Sequence, residues 1–111
     1  MRITQVDSLP VQYVSHDSNV EKRVFLKYGE VPHLSQFATA TLKPGEQATL
    51  HHHDDMTETF HFLSGKAEVE VDGKVHLATA GTTVTVFPKE AHEIRNNGTE
   101  DVIMVYFGIV D

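Results

Sequence analysis

Residues 45–65 read GEQATLHHHDDMTETFHFLSG. Two features of this tract decide the secondary structure it forms. Polar and apolar residues alternate, with Thr59 and His61 flanking and separating Phe60 and Phe62, which is the period of a strand and not of a helix. His51 and His53 are separated by one residue, so on a strand both imidazoles leave the same face while His52 leaves the other. Asp54-Asp55-Met56-Thr57 reads as a turn, and Glu58 opens the return strand. A hairpin of this kind brings the Glu58 carboxylate back beside the pair of imidazoles.

The same period runs outward in both directions. Strands are predicted over residues 11–14, 23–28, 34–42, 47–53, 58–63, 66–71, 74–78, 82–87, 92–95 and 102–107, most of them rich in Val, Thr, Phe and Ile. No stretch of helical length carries an apolar i, i+3, i+4, i+7 stripe without a Gly or Pro to break it. Turn signals punctuate the strands: Pro44-Gly45, Ser64-Gly65, Asp72-Gly73, Ala80-Gly81, Pro88-Lys89 and Asn97-Gly98. Asp72-Gly73 is the firmest, because both residues tolerate the positive φ of a type I′ hairpin turn. Residues 15–22, SHDSNVEK, are polar and read as loop. Many short strands at close spacing predict an antiparallel sandwich or barrel, all-β, in one domain over residues 1–111.

Composition bounds the chemistry. The 111 residues hold 9 Lys plus Arg against 16 Asp plus Glu, a formal charge of −7, which argues against nucleic acid as a partner. Without cysteine there is no disulfide framework, thiol nucleophile or thiolate metal ligand. The longest apolar run, residues 102–110, is about half of what a membrane-spanning helix needs, and the first ten residues lack the apolar core of a signal peptide. A soluble, cytoplasmic protein with no membrane partner is the expectation. The remaining oddity is eight His in a small acidic chain.

Taken alone, three adjacent His read more readily as a solvated surface patch than as a ligand set, and Glu58 as a surface acid after a turn. The alternative needs one more residue. His92 opens a later strand, and in a sheet that closes on itself it can bring a third imidazole to His51, His53 and Glu58. Three neutral imidazoles and one carboxylate suit a divalent transition metal at roughly 2.0–2.2 Å from each ligand atom. A dication with one carboxylate leaves the centre at about +1, electrophilic toward anionic or enolisable oxygen ligands in spite of the acidic chain.

The spacing then meets a known family. Gly45, five residues, His51, one residue, His53, four residues, Glu58, six residues, Gly65 resembles the first motif of the cupin superfamily at every defined position. Gly81, His92 and Asn96 fit the second motif, with Phe87 where that motif has Pro and Lys89 where it has Gly. The resemblance implies a jelly-roll barrel, also called a double-stranded β-helix, with metal ligation by His51, His53, Glu58 and His92 at the base of an open pocket. It implies a small-molecule substrate, a homodimer, and a metal-dependent activity, foremost an oxidoreductase of dioxygenase type. The alternatives are a non-catalytic module that binds a small molecule or metal, a metal-dependent isomerase, and a barrel whose ion only ties strands together. Fe, Mn, Ni, Cu, Co and Zn all suit the ligand set.

Strand parity extends the site. Gln47 and Thr49 share the predicted face of His51 and His53, Phe60 and Phe62 that of Glu58, and Ile94 and Asn96 that of His92. Gln47, Phe60, Phe62 and Ile94 are therefore the candidates for the substrate pocket, although Phe60 and Phe62 read first as ordinary core. Asn96 is expected to satisfy buried backbone groups near a strand end. Met56 is expected at the barrel mouth, His61 and Glu93 on the outer face, and His16, His33 and His76 on the surface. Asp54 and Asp55 are turn formers, with a possible second role as acceptors for a ligand imidazole.

Overall fold

The computed structural model describes residues 1–14 and 17–111. Ten strands run in order: β1 Gln12–Val14, β2 Asp17–Leu26, β3 Leu34–Leu42, β4 Gln47–His51, β5 Met56–Ser64, β6 Lys66–Val71, β7 Lys74–Thr79, β8 Thr83–Val86, β9 His92–Arg95 and β10 Val102–Val110. The one helical element among the described residues is a single 3-10 turn, Val6–Ser8. A six-stranded sheet has the order β1-β2-β3-β10-β5-β8 and a four-stranded sheet the order β4-β9-β6-β7. Each strand pair is antiparallel. The fold is the all-β double-stranded β-helix expected.

The inner faces of the two sheets make the core. Leu42 on β3, Phe62 on β5 and Val102 on β10 meet Val69 on β6 and Ile94 on β9, each almost or wholly inaccessible to solvent. Along β3 the buried positions are Ala38, Ala40 and Leu42, and along β5 they are Glu58, Phe60 and Phe62. The period that buries two phenylalanines therefore also carries an acid inside.

Two turns explain how the strands close. Asp72 and Gly73 have φ of 47° and 84°, the type I′ turn expected, and β6 and β7 pair in register from Val71↔Lys74 to Lys66↔Thr79. Gly65 has φ 84°, and a Cβ there would collide with the Asp101 carbonyl and Val102, so the β5–β6 turn admits no side chain.

Three expectations are corrected. Residues 17–22 are not loop, because β2 begins at Asp17. Val14 on β1 pairs with Asp17 on β2, Val20 is buried, and Asp17 and Lys22 face a cavity. Residues 15 and 16, and with them the surface assignment of His16, lie outside the described residues. The strand expected over 23–28 ends at Leu26. The strand expected over 47–53 ends at His51, and its pairing with β9 shifts between Ala48 and His51. One extra residue at such a bulge reverses the parity on either side of it. Gln47 consequently points to solvent opposite Arg95, and Ala48 points inward opposite Ile94.

Candidate metal centre

Four side chains converge inside the barrel. His51 closes β4, His53 follows it, Glu58 lies on β5 and His92 opens β9. One ligand atom from each can be chosen so that all four lie within 4.8 Å of one another. Glu58 Oε1 stands 3.1 Å from His53 Nε2 and 3.3 Å from His92 Nε2. The rings of His51 and His92 are 4.3 Å apart between centroids, and those of His51 and His53 are 5.0 Å apart. His51 and His92 are brought side by side because they are cross-strand partners on β4 and β9.

The backbone fixes which nitrogen of each ring faces the centre. His51 Nδ1 lies 2.6 Å from the Thr49 carbonyl and His92 Nδ1 lies 3.2 Å from the Glu90 carbonyl. A carbonyl only accepts, so each Nδ1 carries the proton and each Nε2 carries the lone pair. Burial pushes the His51 imidazole below the ordinary histidine value. Burial pushes His92 down as well, but the Glu58 carboxylate and the Glu90 carbonyl outweigh it and leave His92 above that value.

Whether these residues fit a metal ion can be judged from the polar atoms. Glu58 Oε1 and His92 Nε2 are buried and have no hydrogen-bond partner among the described residues. Two such atoms cost free energy unless something else satisfies them. Ligand bonds of about 2.1 Å set neighbouring donor atoms about 3.0–3.4 Å apart and opposite ones about 4.2 Å apart. The separations of 3.1 and 3.3 Å from Glu58 Oε1 match neighbouring donors, and all four atoms lie within 4.8 Å, so the donor set fits a divalent transition metal with small side-chain shifts.

The quartet sits in the wall of a cavity of about 300 Å³, a size that holds a small ligand. Of the four pocket candidates, Phe60 and Ile94 line it. Phe62 does not: it is fully buried in the core, one residue pair beyond the cavity on β5. Gln47 does not, because the β4 bulge turns it outward, and Thr49 is turned outward with it onto Asp17. Asn96 is fully buried, donates to the Leu42 and Glu100 carbonyls and accepts from the Gly98 N–H, the backbone role expected of it. Met56 lines the cavity, His61 bonds Thr83 and Glu93 pairs with Arg95, while Asp54 faces His52 at 3.6 Å.

Sequence reasoning missed Lys22, Gln36 and Tyr106, which also line the cavity. Lys22 was hidden by reading residues 15–22 as loop. The alternation Val20, Lys22, Val24 continues the strand signal of residues 23–28 upstream and could have revealed it.

Comparison with known proteins agrees with this architecture. A family model described as a cupin domain matches residues 38–108. A crystal structure of a predicted oxalate decarboxylase from Thermotoga maritima superimposes with a TM-score of 0.92 at 23% identity, covering 99% of this chain and 100% of the other. A Cupin 2 conserved barrel domain protein from Salinispora arenicola gives 0.80 at 22% identity, covering 98% and 88%. In sequence, polyketide synthase CurC from Streptomyces cyaneus is 30% identical over 67 residues, 60% of this chain and 44% of that protein. The chain thus spans less than half the length of that relative. With the motif order, the barrel and the family model agreeing over the same strands, the chain belongs to the cupin family.

Proposed function

We propose that this cupin is a metal-dependent oxidoreductase of dioxygenase type acting on a small molecule, with His51, His53, Glu58 and His92 holding a divalent transition metal. The observation that carries the metal is the pair of buried, unpartnered atoms, Glu58 Oε1 and His92 Nε2, facing two further imidazoles. A bound ion of this class supplies Lewis-acid and redox chemistry to a ligand oxygen and to O₂. The chain's own residues do the rest. The Thr49 and Glu90 carbonyls orient two of the imidazoles, and Phe60 and Ile94 exclude water from one side of the chamber.

The cavity wall supports chemistry through an ion over proton abstraction by a side chain. Among the described residues its carboxylates are Glu58 and Asp17. Both oxygens of Asp17 are taken up by Thr49, whose N–H and hydroxyl donate at 2.9 and 2.5 Å. No uncommitted carboxylate faces a substrate there, which weighs against an isomerase working through a carboxylate base.

The test is oxygen consumption by chelator-treated protein reloaded separately with Fe, Mn, Ni, Cu, Co or Zn, over a panel of small enols, thiols and phenols. Metal-dependent uptake with label from ¹⁸O₂ in the product is expected. Inertness with every metal overturns the enzymatic reading, and ligand-dependent thermal stabilisation without product then identifies a binding module.

A homodimer belongs to the same proposal. Ile103, Phe107 and Ile109 on β10 and Leu63 on β5 leave apolar side chains exposed on the outer face of the six-stranded sheet. Light scattering is expected to give twice the 12.4 kDa chain mass, and a monomer mass overturns it.

A further inference from the structure

Three polar side chains of the cavity take no part in the quartet, and they form one connected group. The Tyr106 hydroxyl on β10 donates to Gln36 Oε1 on β3 at 3.1 Å, and the Lys22 ammonium on β2 donates to the same oxygen at 3.3 Å. The same wall carries the apolar side chains of Val20, Ala40, Phe60 and Met104, with Ser35 and Tyr28 also in the lining. Lys22 is the one Lys or Arg among the described residues lining the cavity, and no described carboxylate is paired with it.

An ammonium has three N–H donors, and the Gln36 oxygen uses one. That oxygen is neutral, so it leaves the positive charge uncompensated beside an apolar wall, an arrangement that favours a bound anion. The carboxylates of the cavity do not serve. Asp17 is committed to Thr49 through both oxygens. Glu58 faces His53 and His92 from β5, three strand spacings from β2 in the order β2-β3-β10-β5.

The geometry points to a carboxylate subsite at Lys22: the cavity takes a small monocarboxylate with an apolar body. Its carboxylate pairs with the Lys22 ammonium, and its apolar body lies along Phe60 and Met104. Gln36 and Tyr106 are positioning residues, holding the ammonium against the wall. The far end of such a ligand points toward the quartet, which lines the same cavity, and this orientation alone rests on the metal-centre reading above. The subsite itself needs no ion.

The experiment is calorimetric titration of benzoate and of benzamide, its neutral isostere, into chelator-treated protein and into the same protein loaded with Co(II). Benzoate is expected to bind at least about tenfold more tightly than benzamide, the scale of one charge-assisted hydrogen bond. Lys22→Met is expected to weaken benzoate by at least about tenfold and to leave benzamide unchanged, with Lys22→Arg restoring most of the loss. Gln36→Glu keeps the lysine but gives it a built-in carboxylate, so it too should exclude benzoate, and it decides the matter if Lys22→Met does not fold. Equal affinity for the two probes, no benzoate binding at its solubility limit, or benzoate binding untouched by these substitutions overturns the inference. Failure of Co(II) uptake with Lys22-dependent benzoate binding intact would sink the metal reading and leave the subsite standing. Co(II) uptake with Lys22-independent benzoate binding would do the reverse.

Discussion

Glu58 and His92 face each other across the barrel interior with Oε1 and Nε2 3.3 Å apart, both atoms buried and neither hydrogen-bonded among the described residues. A cation between them, His51 and His53 satisfies all four at once. Chelator-treated protein is therefore expected to take up one equivalent of Co(II) or Mn(II) and to melt higher on doing so, by about 2.7 kcal/mol at a hundredfold excess over Kd. Sharing a binding free energy of ~10 kcal/mol among four ligands gives each roughly 2–3 kcal/mol, so Glu58→Gln or His92→Ala should weaken uptake about a hundredfold. His61→Ala, on the outer face, serves as the control. Uptake at wild-type affinity by Glu58→Gln would place the ion elsewhere.

The two imidazoles paired on β4 and β9 should titrate apart in the metal-free protein. His92 lies above the ordinary value of 6.5 and His51 below it. For His92 the raised value stabilises the fold fully below the unfolded pKa, and that contribution fades as pH rises through the folded one. For His51 the sign is opposite: its contribution is present above the unfolded pKa and is lost as pH falls through the depressed folded value. Imidazole NMR titration checks the order. Glu58→Gln should lower His92, and an unmoved His92 would show that the carboxylate is not what holds it up.

Lys89 stands where the second cupin motif has Gly, and the structure shows what that departure costs. Its φ is +72°, in the left-handed region. Its N–H donates to the His53 carbonyl at 2.6 Å, so the β8–β9 connection holds this conformation next to the quartet. A side chain in that region costs about 1–2 kcal/mol, partly offset by the greater freedom of glycine in the unfolded chain. Lys89→Gly should raise stability by about 0.5–1 kcal/mol, or a few degrees in Tm. Lys89→Val, β-branched, should lower it. A loss of stability in Lys89→Gly would contradict the strain.

These residues also show what could be read in advance. The quartet was legible because its members are close in sequence or open a strand: His51 and His53 two residues apart although β4 ends at His51, Glu58 on the next strand although that strand begins at Met56, and His92 opening β9. Phe60 and Ile94 followed by parity from neighbours within two residues on unbroken strands. Gln47 failed because its parity was counted through the bulge between Ala48 and His51, and a bulge leaves no mark in a run of ordinary residues. Phe62 kept its predicted face, but how far along β5 the chamber ends depends on the opposing sheet. Lys22 lay in a polar segment whose strand is set by pairing with β1 and β3 and by Asp17 docking on Thr49, 32 residues away in the chain.

Tyr106 tests how dry the chamber is. Burial, with the Glu58 charge adding to it, pushes its phenol up to about 12. In the unfolded chain a phenol ionises near pH ~10, so the folded protein holds a proton that the unfolded one releases. The sign follows: stability is unaffected by this group below about pH 10 and falls between about 10 and 12, by roughly 2–3 kcal/mol in all. Tyrosinate absorbance should show a component with a midpoint of about 12 that disappears in Tyr106→Phe. That variant should lose about 1 kcal/mol at neutral pH with the hydrogen bond to Gln36, and should lose the alkaline decline as well. A Tyr106 that ionised no later than a free phenol would mean that water reaches the hydroxyl. The same water would reach Lys22, tied to Tyr106 through one amide oxygen, and would screen the charge on which the carboxylate subsite depends.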